Sequence, residues 1–235
     1  MSGKRSHNVS KRPRRRINWS QAVFMAIGVL VVLAFILSLV TYGCSGDRAL
    51  LRPRSIHRLG ATMTSERLGL IKFDGVDQTI VGPDLRPGDQ APDFVAVGND
   101  WREVHPLTAS AGEVIILAAV PSLDTSVCDK ETRRFNTEAT QLGPLVHIYV
   151  LSMDLPFAQK RWCGATGVDR VTTLSDSVHA DFGPRYGCLI KEKRLLRRAV
   201  FVIGRDGKVV YADYMAALGD EPRYDDVLAA VKKSL

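Results

Sequence analysis

Cysteine is scarce in this sequence: Cys44, Cys128, Cys163 and Cys188 are the only four in 235 residues. No two are separated by two residues, and the five histidines, at 7, 57, 105, 147 and 179, stand singly. The spacings of a structural zinc site are missing, and no metal is expected. A disulfide framework is not needed, because a chain of this length buries a core without staples. What remains for the thiols is redox chemistry or plain burial. Acidic residues are also scarce in the first 64 positions, where Asp47 alone faces 11 lysines and arginines. The net charge of +7 therefore belongs to a tail. Residues 65–235 hold 21 basic against 24 acidic residues, the balance of an ordinary, mildly acidic globular domain, so no nucleic-acid partner is expected. No internal repeat interrupts that domain.

Charge of either sign is absent from Ile17 to Gly46. Within this stretch Ala22–Val40 is apolar apart from Gly28 and Ser38. Nineteen helical residues would rise roughly 28 Å, close to the hydrocarbon thickness of a bilayer. Trp19 and Tyr42 stand where amphipathic rings favour the interface, and seven basic residues precede the stretch. The reading is a basic tail over 1–20, a transmembrane helix or signal anchor over 21–43, a linker over 44–64 and a folded domain over 65–235. The charge bias puts the N-terminus in the cytoplasm and the domain outside, with the lipid bilayer as partner of 21–43. Rivals are a cleaved signal, a lipoprotein site at Cys44, and a shorter cytoplasmic product beginning at Met63.

In the domain, "RLGLIKFDGVDQTIVG" alternates around Asp74-Gly75 and predicts a hairpin. "GEVIILAAVP" and "LVHIYVLSM" are continuous apolar runs, as in strands buried on both faces. Between them Val127, Phe135, Ala139 and Leu142 recur at helical spacing up to the stop at Gly143-Pro144. "RAVFVIGRDGKVVYADY" predicts a strand pair turned on Asp206-Gly207, and "EPRYDDVLAAVKKSL" a closing amphipathic helix. Strand, helix, strand, hairpin and last helix make an α/β domain of thioredoxin-like fold. His147 reads as a satisfied core histidine, Cys188 as a small buried hydrophobe, and "KEKRLLRR" (191–198) as a solvated face apart from its last residue.

Cys128 stands at the entrance to the first of these helices, in "PSLDTSVCDKETRRFN". There the unpaired backbone N–H groups and the positive end of the helix dipole favour thiolate over thiol. Thr125 is placed to cap the helix and bring its hydroxyl beside the sulfur, while Pro121 ends the strand and screens one side of the pocket. An ionised thiol among donors suits a polar electrophile that gains negative charge as it reacts, and a peroxide is such a molecule.

Pro121-x-x-x-Thr125-x-x-Cys128 is similar to the active-site signature of the peroxiredoxins, and "RPGDQAPDF" (86–94) resembles their N-terminal strand entry. "SMDLPFAQKRWCGATG" (152–167), "VTTLSD" (171–176) and "RAVFVIGRDGKVVY" (198–211) resemble the thiol peroxidase subfamily, atypical two-cysteine peroxiredoxins of bacteria. The resemblance covers about residues 65–235. It implies a thiol-specific peroxidase acting on hydrogen peroxide and organic hydroperoxides, without cofactor, in a homodimer. Cys128 would be the peroxidatic cysteine, Thr125 would hold the sulfur and the peroxide, and Arg198 would supply the cation. Cys163 would resolve the sulfenic acid in an intrachain disulfide with Cys128, reduced in turn by a thioredoxin-type dithiol. Three positions depart from the pattern: Ser126 replaces the usual Pro or Gly, Trp162 the usual Phe, and Cys188 an ordinary apolar residue. Against a membrane-tethered thiol–disulfide oxidoreductase, Cys128 is followed by Asp129, Lys130 and Glu131 rather than by a second cysteine. An inactive tethered interaction module would not need Thr125, Cys128, Cys163 and Arg198 together.

Overall fold

The computed structural model describes residues 32–33 and 65–235. Among these, no helix is long and apolar enough to cross a membrane. The expected span over 21–43 and the linker over 44–64, with Cys44 and Met63, lie outside the described residues, apart from Val32 and Leu33.

Two apolar runs build the centre. Strand β5 (Val114–Ala119) is buried at every position and pairs in parallel with β6 (Val146–Ser152). The period of two sends Ile115, Leu117 and Ala119 into one core layer, and Val114, Ile116 and Ala118 into another on the opposite face. Beside β6 runs β7 (Thr172–Ser175), again parallel, while β10 (Ala199–Ile203) and β11 (Val209–Tyr214) add antiparallel strands on the other side of β5. With the two-residue strands β3 (Ala96–Val97) and β4 (Glu103–Val104) the order is β11-β10-β5-β6-β7-β3-β4. This is the thioredoxin-like arrangement expected from the order of the elements. The chain over 86–94 is not a strand; only Gln90 bridges to Lys208, and pairing begins at Ala96. Pro87 and Pro92 lack the N–H that a strand ladder would use.

Two short helices, α1 (Pro106–Ala109) and α4 (Phe182–Arg185), join three longer ones: α2 (Ser126–Leu142), α3 (Pro156–Thr166) and α5 (Tyr224–Ser234). Phe135 of α2, Trp162 of α3 and Val227 and Val231 of α5 enter the same core layer as Ile116, Val150 and Val200. Both cysteine-bearing helices, α2 and α3, thus cover one face of the sheet. Phe135 is fully buried, and truncating such a ring costs about 3–5 kcal/mol. The opposite layer gathers Phe94, Phe182, Tyr186 and Phe201, with Cys188 buried among them as expected.

The hairpin of β1 (Glu66–Phe73) and β2 (Val76–Val81) turns on Asp74-Gly75, both with positive φ, as a tight turn between twisted strands requires. It joins β8 (Leu189–Ile190) and β9 (Leu195–Leu196) in a separate four-stranded sheet. Two expectations change here. His147 is not a core histidine: it sits partly exposed at the start of β6 and pairs with Glu113. In the 191–198 segment, Arg197 is buried together with Arg198, where it pairs with Asp84, donates to the Gly187 carbonyl at 2.7 Å and stacks 4.0 Å over the Tyr214 ring.

Candidate active site

Cys128 is the third residue of α2, behind Thr125 as N-cap. The preceding loop is pinned from the turn after β6: Asp154 accepts from the Ser122 hydroxyl at 2.7 Å and from the Leu123 N–H at 2.8 Å. Ser152 steadies that carboxylate at 2.8 Å, and the fully buried Gln159 donates to Ser152 at 3.0 Å and to the Leu174 carbonyl at 2.9 Å. Pro121 is buried just beyond the end of β5. The strand end is thereby fixed against the neighbouring strand, and the helix starts in one place.

Thr125 makes no side-chain capping bond. Its hydroxyl lies 2.8 Å from the Cys128 sulfur and 3.0 Å from the Ser122 carbonyl. A hydroxyl has one proton, and a thiolate is the stronger acceptor, so an ionised sulfur takes it. Arg198 comes from the loop entering β10 and is almost fully buried. Its Nη2 donates to the Cys128 sulfur at 3.2 Å and to the Leu218 carbonyl at 3.1 Å, and its Nη1 donates to Glu131. The structure thus brings Thr125, Cys128 and Arg198 together.

Glu131 was missed. It is fully buried one turn beyond Cys128, four residues after Val127 and four before Phe135, as a charged residue on the apolar face of the helix. Burial raises its carboxyl to about 7 against the opposing pull of Arg198. Desolvation works against the charge on Arg198 too, but Glu131 and Cys128 outweigh it and keep the guanidinium firmly protonated. One buried cation therefore serves two acidic groups through different nitrogens, and the planar guanidinium fork holds both in place. The spacing of Cys128 and Glu131 put both on one helical face, which is the signal that could have found it.

Cys163, on α3, is partly buried and packs against the same core layer as Cys128. Both thiols are free, as is Cys188. The Cys163 sulfur lies 3.3 Å from the Thr173 hydroxyl and 3.8 Å from the Asn99 amide nitrogen, beside a cleft of about 380 Å³. Burial pushes the Cys188 thiol up to about 12, so it stays protonated and inert. No cluster of three metal-ligating side chains occurs among the described residues.

Residues 86–228 match the model of the Redoxin family. The thiol peroxidase of Bacillus subtilis (strain 168) is 49% identical over 162 residues, covering 69% of this chain and 96% of the relative. That of Oceanobacillus iheyensis is 48% identical over 163 residues, covering 69% and 98%. Among solved structures, a peroxiredoxin-like protein from Aquifex aeolicus superposes with a TM-score of 0.64 at 39% identity, covering 72% of this chain and 98% of that one. A thiol peroxidase from Chromobacterium violaceum, 19% identical over 69% of this chain and 95% of its own, superposes with a TM-score of 0.62 and shares the fold.

Proposed function

The chain belongs to the redoxin family, among its thiol peroxidases, and on that premise we propose the role of each residue in its reaction. The protein is a thiol-dependent peroxidase. The observation that carries the assignment of roles is the Cys128 sulfur, at the start of a helix, between the Thr125 hydroxyl at 2.8 Å and the Arg198 guanidinium at 3.2 Å.

The Cys128 thiolate attacks the distal oxygen of a hydroperoxide. The O–O bond breaks, the sulfur takes the distal O–H as a sulfenic acid, and the alkoxide or hydroxide leaves and takes up the proton released when the thiol ionised. Charge moves from sulfur to the leaving oxygen, so a fixed guanidinium beside both stabilises the transition state. Thr125 orients the sulfur and the incoming peroxide, and Pro121 forms part of the pocket wall. Cys163 then attacks the Cys128 sulfur, forming the disulfide and releasing water. A dithiol of thioredoxin type returns two electrons and restores both thiols. A thiol–disulfide oxidoreductase would need a second cysteine three positions after Cys128, and Glu131, buried on Arg198, stands there.

The basic tail and the uncharged run over 17–46 support an anchor over 21–43, with the N-terminus cytoplasmic and the catalytic domain outside. The reductant is then a dithiol relay on that side of the membrane. The assignment of roles is tested by consumption of hydrogen peroxide by the full chain with a dithiol reductant. Cys128→Ser is expected to abolish turnover. Cys163→Ser is expected to give one turnover and then stall with Cys128 as sulfenic acid. Continued turnover in Cys128→Ser would refute the assignment.

A further inference from the structure

We infer that Thr173 is a catalytic residue for the second half of the reaction, donating its hydroxyl hydrogen to the Cys163 sulfur as that sulfur attacks. The inference rests on the reading of Cys163 as the resolving cysteine and adds a residue to it.

Thr173 lies on β7 and is only 3% exposed, so its hydroxyl proton must find an acceptor inside the protein. Two side chains lie within reach. The Asn99 amide nitrogen, at 3.0 Å, is a donor and takes a lone pair on the hydroxyl oxygen. The Cys163 sulfur lies at 3.3 Å. Were the Cys163 S–H to donate to Thr173, the oxygen would accept twice and its own proton would be left buried without a partner. With the Asn99 nitrogen facing Thr173, the arrangement that satisfies the Thr173 hydroxyl is a directed chain, Asn99 N–H to Thr173 oxygen and Thr173 O–H to Cys163 sulfur, and it leaves only the Asn99 side-chain oxygen without a partner. Donation to an ionised sulfur is charge-assisted and stronger than to a neutral thiol, so the chain favours the form of Cys163 that reacts.

The second step then balances within the site. The Cys163 proton leaves to solvent through the cleft beside it, and the thiolate, held by Thr173, attacks the Cys128 sulfur. The S–S bond forms as the S–O bond breaks, and the hydroxide leaves and takes up a proton as water. Thr173 serves Cys163 as Thr125 serves Cys128: each sulfur has its own threonine, and Asn99 positions the second.

The test is single turnover of the full chain with one equivalent of hydrogen peroxide, following sulfenic acid formation and disulfide formation separately. In Thr173→Val, which keeps the shape and removes the proton, sulfenic acid forms at the unaltered rate while disulfide formation slows about tenfold. Thr173→Ser, which keeps the proton, restores it to within about twofold. In a Cys128→Ser background, alkylation of Cys163 by iodoacetamide slows in Thr173→Val and not in Thr173→Ser. Unchanged or faster alkylation in Thr173→Val is what the reversed arrangement gives, with the S–H donating, and would overturn the inference. So would a Ser variant as slow as Val. Disulfide formation at Cys128 that persists in Cys163→Ser would instead overturn the resolving role of Cys163, while alkylation would still report on the hydrogen bond.

Discussion

At the scale of single residues, the site is a contest between two acids for one cation. Arg198 is held at both ends of its fork, so the shape of the group should matter as well as its charge. Arg198→Lys keeps the positive charge but cannot reach Cys128, Glu131 and the Leu218 carbonyl together. Its reaction with hydrogen peroxide is expected to slow about 10²-fold, read by stopped flow, with the far-UV circular dichroism unchanged. A variant as fast as the parent would remove Arg198 from the chemistry. Glu131 gives a pH signature. Its carboxyl is raised on folding from 4.5 to about 7, so the folded state holds the proton more tightly than the unfolded one. The stability this contributes is complete below about 4.5 and is lost as pH rises through about 7, on the order of 3 kcal/mol. Denaturant unfolding of Glu131→Gln should show a smaller loss between pH 5 and 8 than the parent; an equal loss would put the titration elsewhere. Thr125, Cys128 and Arg198 were legible in the sequence because they sit in a short motif and a recognisable strand entry. Glu131 and Arg197 were not, since charged letters on a helix or loop ordinarily face water and only their distant partners bury them.

At the scale of elements, α2 and α3 are tied beside their cysteines. The Trp162 indole N–H donates to Asp129 at 3.1 Å, and Asp129 also accepts from Arg133 at 2.9 Å. Arg133 lies 5.9 Å over the Trp162 ring and donates to the Thr166 carbonyl at 3.3 Å. Asp129 follows Cys128 directly and Trp162 precedes Cys163, so a turn of α2 that unwinds to carry Cys128 towards Cys163 must break this tie. Trp162→Phe keeps an aromatic ring at this position, smaller than the indole, and removes the N–H. Disulfide formation after peroxide addition is expected to quicken about three- to tenfold, with less overoxidation of Cys128 at high peroxide. A slower disulfide would mean that the tie aligns the sulfurs instead. The long elements were readable because each carries a full period: β5, β6, α2 and α5 lie where the apolar spacing put them. The two-residue strands β3, β4, β8 and β9 carry no period and exist only through their neighbours.

At the scale of the whole molecule, the folded domain and the N-terminal segment answer to different physics. The domain is held by its two core layers and by a small apolar cluster of Ile71, Ile80 and Ile190 in the second sheet. The anchor proposed over 21–43 rests on its sequence alone: an uncharged, apolar run of that length favours a bilayer over water. Carbonate extraction and protease access in intact spheroplasts are expected to find the full chain in the membrane with its domain outside. A soluble product beginning at Met63 would sink the anchor, and a protease-shielded domain would reverse the orientation alone. The implied homodimer should appear as twice the chain mass by light scattering of the detergent-solubilised protein. The proposed passage of oxidation from Cys128 to Cys163 is read directly by one measurement. The reduced full chain is treated with one equivalent of hydrogen peroxide, quenched by alkylation and mapped by peptide mass spectrometry. The expected result is a single intrachain disulfide joining the Cys128 and Cys163 peptides, absent in Cys128→Ser, with Cys188 alkylated only after unfolding. Cys128 recovered unoxidised, or joined to a cysteine other than Cys163, would contradict it.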